Sequence, residues 1–371
     1  MSEYLGKDVF KLGFGLMRLP RLETGEIDVK QVGEMVDLFL EAGGTYFDTA
    51  FAYQGSEEAI RKALVERVPR ERYTLATKLI ANGENLSEET LKSEFVTSLE
   101  RTGAGYFDFY LLHALQRSNY RNYEKYHLWD YVKELKEKGL VRHFGFSFHG
   151  DPELLEELLA KHPDAEFVQL QINYADWENP GVASKKNLEI CRAHGKPVVI
   201  MEPVKGGILA DPIDPVKKIL KSANPDLSYA GWAVRFAASQ EGILTVLSGM
   251  SSLAQMEDNL SYMRDFKPLT GEEYEVVRAA QKALDNDKAI PCTGCRYCVE
   301  GCPMGIPIPD IFTVLNRRKG SPEFRTKREY SIVTYEKGRA SDCVACGQCE
   351  GACPQHLPII ELLKSCRELE K

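Results

Sequence analysis

The sequence predicts an α/β protein: a (β/α)8 TIM barrel over residues 1–285, then a small, cysteine-rich α+β domain over residues 286–371. Three observations carry this. Eight short β-branched or aromatic runs alternate with amphipathic stretches between about residues 10 and 265, the pattern of a parallel sheet wrapped by helices. No G-x-G-x-x-G follows the first run, which disfavours the competing open, doubly wound sheet. Nine of the ten cysteines lie in the last eighty residues, so the chain changes character near Ile290.

The strand candidates are residues 10–19 (FKLGFGLMRL), 44–50 (GTYFDTA), 72–79 (RYTLATKL), 107–113 (FDFYLLH), 141–148 (VRHFGFSF), 166–173 (EFVQLQIN), 197–203 (PVVIMEP) and 243–249 (ILTVLSG). Between them, residues 56–68, 87–103 and 151–162 place apolar residues at i, i+3, i+4 and i+7, and begin with Ser or Asp where an N-cap belongs. A last helical stretch, residues 270–284, packs outside the barrel and leads out of it. Residues 290–371 hold 12 Lys+Arg and 10 Asp+Glu, whereas the rest holds 35 and 45.

Composition excludes several function classes. With 371 residues, 43% of them hydrophobic, the chain can bury a large core. No run of about eighteen apolar residues exists, so no membrane span is expected. The opening MSEYLGKDVFKLGFG lacks the layout of a secretory signal, and a cytoplasmic location is expected. A net charge of -8 argues against nucleic acid as a partner. No Walker-type G-x-x-x-x-G-K is present, which argues against a nucleotide triphosphatase.

Residues 292–303 read CTGCRYCVEGCP and residues 343–354 read CVACGQCEGACP. Both are C-x2-C-x2-C-x3-C-P. That spacing wraps three thiolates around one face of a cubane and sends the fourth toward a second cluster. One [4Fe-4S] cluster then takes Cys292, Cys295, Cys298 and Cys353, and the other takes Cys343, Cys346, Cys349 and Cys302. Zinc sites use two separated ligand pairs, and disulfides at this spacing would be strained. The segment resembles bacterial two-cluster ferredoxins, which implies a ferredoxin-like iron-sulfur domain. It departs from them in a long basic insert, residues 316–339, either a solvated surface or a docking face for an acidic electron-transfer partner. Cys191 and Cys366 fall outside the repeats and read as ordinary helix residues.

In a barrel of this kind, ionisable residues at strand C-termini are the candidates for chemistry. Asp48 ends the second strand, Tyr53 follows it, Lys78 ends the third and His113 ends the fourth. A phenol gives up its proton only near pH 10, and an adjacent ammonium favours the phenolate. A carboxylate holds the ammonium, and an imidazole orients a carbonyl. The set suits hydride delivery to a C=O with Tyr53 protonating the oxygen.

With FDTA at the Asp, ATK at the Lys, FDFYLLH into the His and GFS in the fifth strand, residues 8–265 resemble the aldo/keto reductase superfamily, and the cysteine tail suggests its ferredoxin-tailed branch. The resemblance implies an NAD(P)H-dependent oxidoreductase that reduces a carbonyl or oxidises an alcohol, with NADPH favoured over NADH. It implies cofactor contacts from Met17, Ser147, Gln171, Ser251, Gln255, Asp258 and Asn259, and a phosphate contact from Lys205. Phe148 stands where the family usually has Asn. Phe51, Tyr120, Tyr123 and Trp177 are candidate pocket walls.

Hydride chemistry moves electron pairs and a cubane moves single electrons, so a flavin normally mediates between them. A ferredoxin, flavodoxin or flavoprotein redox partner is therefore a candidate, beside structural or sensory clusters. The different-class alternative is an electron-transfer or redox-sensing protein whose barrel is a docking or vestigial module.

Overall fold

The structure, a computed structural model, describes residues 9–82, 86–284, 289–317 and 323–370. Packing divides the chain into two units: residues through Val204 with Leu209–Lys282, and Lys205–Ile208 with residues from Ala283 onward.

The first unit is a closed barrel of eight parallel strands in sequence order. Along the chain these are β1 (Leu12–Gly15), α1 (Val29–Glu41), β2 (Tyr46–Asp48), α2 (Ser56–Ile60), β3 (Thr74–Leu79), α3 (Glu88–Thr102), β4 (Phe107–Leu115), α4 (Tyr120–Lys125), α5 (Leu128–Glu137), β5 (Val141–Phe148) and α6 (Pro152–Lys161). There follow β6 (Phe167–Gln171), α7 (Ser184–Ala193), β7 (Val198–Met201), α8 (Asp214–Ala223), α9 (Tyr229–Ala238), β8 (Ile243–Ser248), α10 (Leu253–Met263) and α11 (Gly271–Leu284). The N-caps act as their residue types dictate. Asp28, Ser87, Asp151, Ser228 and Ser252 each accept from a backbone N–H three residues on.

The two-residue strand period sorts side chains between two cores. Tyr46, Ala76, Phe109, Leu111, Phe167 and Val199 fill the barrel lumen. Phe14, Phe47, Leu75, Tyr110 and Val168 pack outward beneath the helices. Register then fixes the mouth. Ala76 lies opposite Phe109 and Lys78 opposite Leu111, so Asp48, Lys78 and His113 share the lumenal parity at strand C-termini.

The second unit holds α12 (Tyr297–Glu300), α13 (Ile308–Arg317), α14 (Glu323–Val333), α15 (Gln348–Ala352) and α16 (Ile359–Cys366). No strand occurs among its described residues, although the sequence predicts α+β character here; chain that could pair as hairpins instead forms cysteine loops and helices. Its core gathers Ile306, Ile308, Ile311, Phe312, Ile359 and Leu363. Residues 318–322 of the basic insert lie outside the described residues. Among the described residues, no helix is long and apolar enough to cross a membrane.

Candidate active site

The β2–α2 loop brings a tyrosine back to the strand ends. Thr49 N–H donates to Ala76 O and Phe51 N–H to Lys78 O, which extends the β2–β3 pairing past Asp48. A turn closed by Tyr53 N–H to Ala50 O then places the Tyr53 ring beside Lys78. Ser56 Oγ pins the loop by bonding Thr49 Oγ1 at 2.8 Å and Leu16 O at 3.0 Å.

Lys78 is the hub. Its Nζ donates to Asp48 Oδ1 at 2.5 Å and to Thr49 O at 2.6 Å, and lies 4.9 Å from the Tyr53 ring centroid. Lys78 and Asp48 are buried, while Tyr53 is half-buried and reaches the mouth. Burial lowers the Lys78 ammonium from its usual value and raises the Asp48 carboxyl, each change resisted by the partner's charge. The His113 ring stands edge-on to Tyr53 with centroids 5.7 Å apart. Burial first, then the charges of Lys78 and His149, hold His113 well below the ordinary imidazole value, so it is neutral at pH 7. The site thus gathers a phenol, a buried ammonium–carboxylate pair and a neutral imidazole.

The remaining candidate residues are placed unevenly. Ser147 Oγ accepts from Ala114 N–H at 2.7 Å and fixes the left-handed turn at Ala114, just after His113. Gln171 Nε2 donates to Asp176 Oδ2 at 2.8 Å. Met17, placed in the first strand by its sequence pattern, sits in a short 3-10 turn (Leu16–Arg18) after β1. Ser251 N–H donates to Gln255 Oε1 and Ser251 Oγ to Arg18 O. Asp258 Oδ2 accepts from Ser228 Oγ at 2.8 Å. Asn259 is buried, and its Oδ1 has no hydrogen-bond partner among the described residues, an acceptor suited to an incoming amino group. Lys205 belongs to the second unit, where its Nζ donates to Gln355 Oε1 at 3.0 Å. Tyr123, a candidate pocket wall, is fully buried instead, and its hydroxyl donates to His113 O while accepting from Ala81 N–H.

Sequence reasoning missed three groups. Asp176 Oδ2 gathers donors from both Gln171 and Asn173, and Asn173 also donates to Glu202 O. Glu57, nearly fully buried, accepts from Thr77 Oγ1 and pairs with Arg101 below the mouth. Arg18 lies against Gly249 and pairs with Glu202 at 3.7 Å, so a cation stands beside the β8–α10 loop although residues 249–263 contain no Lys or Arg. Only Arg18 carried a sequence signal, its place at the end of the first strand run.

The second unit forms two cavities. Cys292, Cys295, Cys298 and Cys353 line one, and Cys302, Cys343, Cys346 and Cys349 line the other. The sequence repeat is also a conformational repeat. Gly294 and Arg296 in one loop match Ala345 and Gly347 in the other, all with positive φ, and Gly305 matches His356 after the fourth cysteine. Left-handed residues of this kind are the backbone conformation from which anion-binding nests are built. Burial and the neighbouring Cys295, Cys292 and Cys353 push the Cys298 thiol above its ordinary range. Among the described residues, no three His, Cys, Asp or Glu side chains converge as a single metal ion would require. Four cysteines lining each cavity match the ligand number of a [4Fe-4S] cubane. Cys191 and Cys366 are buried on α7 and α16, outside both cavities.

Comparison with known proteins agrees with this architecture. The family model described as 4Fe-4S dicluster domain matches residues 291–357. An uncharacterized oxidoreductase of Bacillus subtilis is 23% identical over 313 residues, spanning 72% of this chain and 97% of the relative. An L-galactose dehydrogenase of Arabidopsis thaliana is 25% identical, spanning 76% of this chain and 92% of its own. The holo form of an aldo-keto reductase from Bacillus halodurans superposes with a TM-score of 0.60 at 26% identity, covering 73% of this chain and 91% of that one. An aldo-keto reductase from Klebsiella pneumoniae in complex with NADPH shares the fold with a TM-score of 0.57 at 20% identity, covering 74% and 92%. The model described as Aldo/keto reductase family matches residues 11–282, so the chain belongs to that family.

Proposed function

We infer that the chain is an NAD(P)H-dependent oxidoreductase that reduces a small-molecule carbonyl, or oxidises the corresponding alcohol, with Tyr53 as the acid/base. The observation that carries this is Lys78, which bonds Asp48 while standing 4.9 Å from the Tyr53 ring. NAD(P)H, when bound, supplies the hydride to the carbonyl carbon. Tyr53 donates the proton to the carbonyl oxygen. The Lys78 ammonium stabilises the phenolate left behind, and Asp48 keeps that ammonium in place. His113, neutral, orients the carbonyl oxygen toward Tyr53. Its backbone is held on both sides, by Tyr123 at its carbonyl and by Ser147 at the next N–H.

Ser147, Gln171 and Asn259 are the residues that would hold the nicotinamide and adenine ends, and the buried, unpartnered Oδ1 of Asn259 supports that assignment. Arg18 supplies the cation for a phosphate, which supports NADPH over NADH. Cys292, Cys295, Cys298 and Cys353 would hold one [4Fe-4S] cluster, and Cys302, Cys343, Cys346 and Cys349 a second. When bound, the clusters supply single-electron steps. A cytoplasmic setting accords with this, since reducing compartments keep thiols available to iron.

The test is anaerobic, aldehyde-dependent NADPH oxidation by the full chain and by Tyr53→Phe. Loss of a general acid lowers the rate by about 100-fold or more, with NADPH binding unchanged. Equal activity in both proteins would contradict the assignment. The competing reading, an electron carrier with a vestigial barrel, gives no account of four ionisable residues held in mutual contact.

A further inference from the structure

Exposed apolar side chains are concentrated in the second unit. Seven large hydrophobic residues are exposed among the described residues, and five of them fall between Met304 and Val344. Two of the five, Met304 and Val344 (39% and 60% exposed), line the cavity of Cys302, Cys343, Cys346 and Cys349. Of the eight cysteines lining the cavities, Cys298, Cys353 and Cys349 are buried and Cys346, in the second cavity, is exposed. Apolar surface therefore lies beside the exposed cysteine.

Cationic chain lies beside it. Gly338 N–H bonds Gly305 O, and a Cβ at Gly338 would fall 2.1 Å from Met304 O, so the segment carrying Tyr335 and Lys337 runs against the cavity rim. Tyr335 is 71% exposed. Just upstream, Phe324, Arg328 and Ile332 recur at four-residue spacing along one exposed face of α14. The insert, residues 316–339, holds eight Lys+Arg against three Glu, net +5, while the remaining chain holds 39 against 52, net -13. Exposed apolar side chains next to the exposed cations Arg328 and Lys337, on an otherwise acidic chain, form a surface for an acidic partner.

We propose that this surface docks an acidic one-electron carrier protein, which exchanges electrons with the chain through the cluster held by Cys302, Cys343, Cys346 and Cys349. One electron leaves the reduced centre of the carrier and enters the oxidised cluster, with no bond made and no proton moved. The proposal rests on the reading that both cysteine sets hold clusters.

The probe is an acidic plant-type [2Fe-2S] ferredoxin, reduced beforehand and mixed anaerobically with the full chain in a stopped flow while cluster bleaching is followed. The second-order rate should fall at least about tenfold as salt rises from about 20 mM to about 300 mM. The double variant Arg328→Glu/Lys337→Glu should lose about tenfold at low salt, while its iron content and its reduction by the small methyl viologen radical stay unchanged. A change below about twofold, a salt-independent rate, or reduction by methyl viologen but not by the ferredoxin overturns the docking surface. Absence of iron from the wild type overturns the cluster reading itself, a different failure read from a different measurement.

Discussion

Replacing Lys78 by Met tests the centre of the site. The ammonium is fully buried, and its bond to Asp48 Oδ1 is 2.5 Å long. Two unit charges at that distance attract by about 7 kcal/mol at an effective dielectric near 20, most of it offset by the desolvation of both groups. Removing one partner is worse than removing both, because Asp48 is then left buried without its counter-charge, and the expected loss is about 3–5 kcal/mol. The double variant Asp48→Asn/Lys78→Met leaves no buried charge and should recover most of that loss. Trp129, Trp177 and Trp232 are the three tryptophans of the chain and all lie in the barrel, so fluorescence during urea unfolding reports this unit alone. The single variant should lower the urea midpoint by about 1 M or more, and the double variant should return toward wild type. Neither should recover aldehyde reduction, since both lack the cation beside Tyr53. Equal midpoints for the single variant and wild type, or a double variant less stable than the single, would refute the reasoning.

Further expectations follow from other parts of the molecule. Burial pushes the Glu94 carboxyl up to about 8, so the folded barrel holds a proton there that the unfolded chain releases near pH 4.5; stability from this group is present at low pH and lost as pH rises through 8. Glu94→Gln should remove that slope and be more stable than wild type at pH 9, by a few kcal/mol. His113 acts in the opposite direction: its depressed value means that stability is lost as pH falls below about 6.5, visible as a midpoint drop that His113→Asn lacks. Cys295→Ala should retain about four irons per chain where wild type holds about eight, and Cys353→Ala should abolish the same electron paramagnetic resonance signal. If the two variants remove different signals, the crossed ligand sets are wrong. Arg18→Ala should weaken NADPH binding by roughly tenfold, about 1.4 kcal/mol, and NADH binding less, as measured by fluorescence titration.

How much was legible in the sequence follows from how local each signal is. Alternating apolar runs fixed the barrel because register and lumen filling depend only on period. The cysteine repeat was legible for the same reason: its spacing is a loop of a few residues, and the two loops repeat their left-handed positions as well as their letters. Asp48, Lys78 and His113 stood out as ionisable ends of apolar strands. The partners that orient them were not legible. Tyr123 reaches His113 from a helix ten residues on, and its aromatic ring resembled a pocket wall because sequence does not record which way a side chain turns. Asp176 bonds Gln171 and Asn173 through a tight loop with no motif. Lys205 met Gln355, 150 positions away, a contact that only folding creates.

The central claim is hydride transfer in the barrel with Tyr53 as acid, and isotope transfer tests it most directly. The full chain, prepared without oxygen, is given NADPH deuterated at the transferring position together with 4-nitrobenzaldehyde, and cluster absorbance is recorded throughout. The account predicts one deuterium on the alcohol carbon per NADPH consumed, no change in cluster absorbance, and loss of both product and label in Tyr53→Phe. Alcohol formed without label, or label transfer undiminished in Tyr53→Phe, would contradict it.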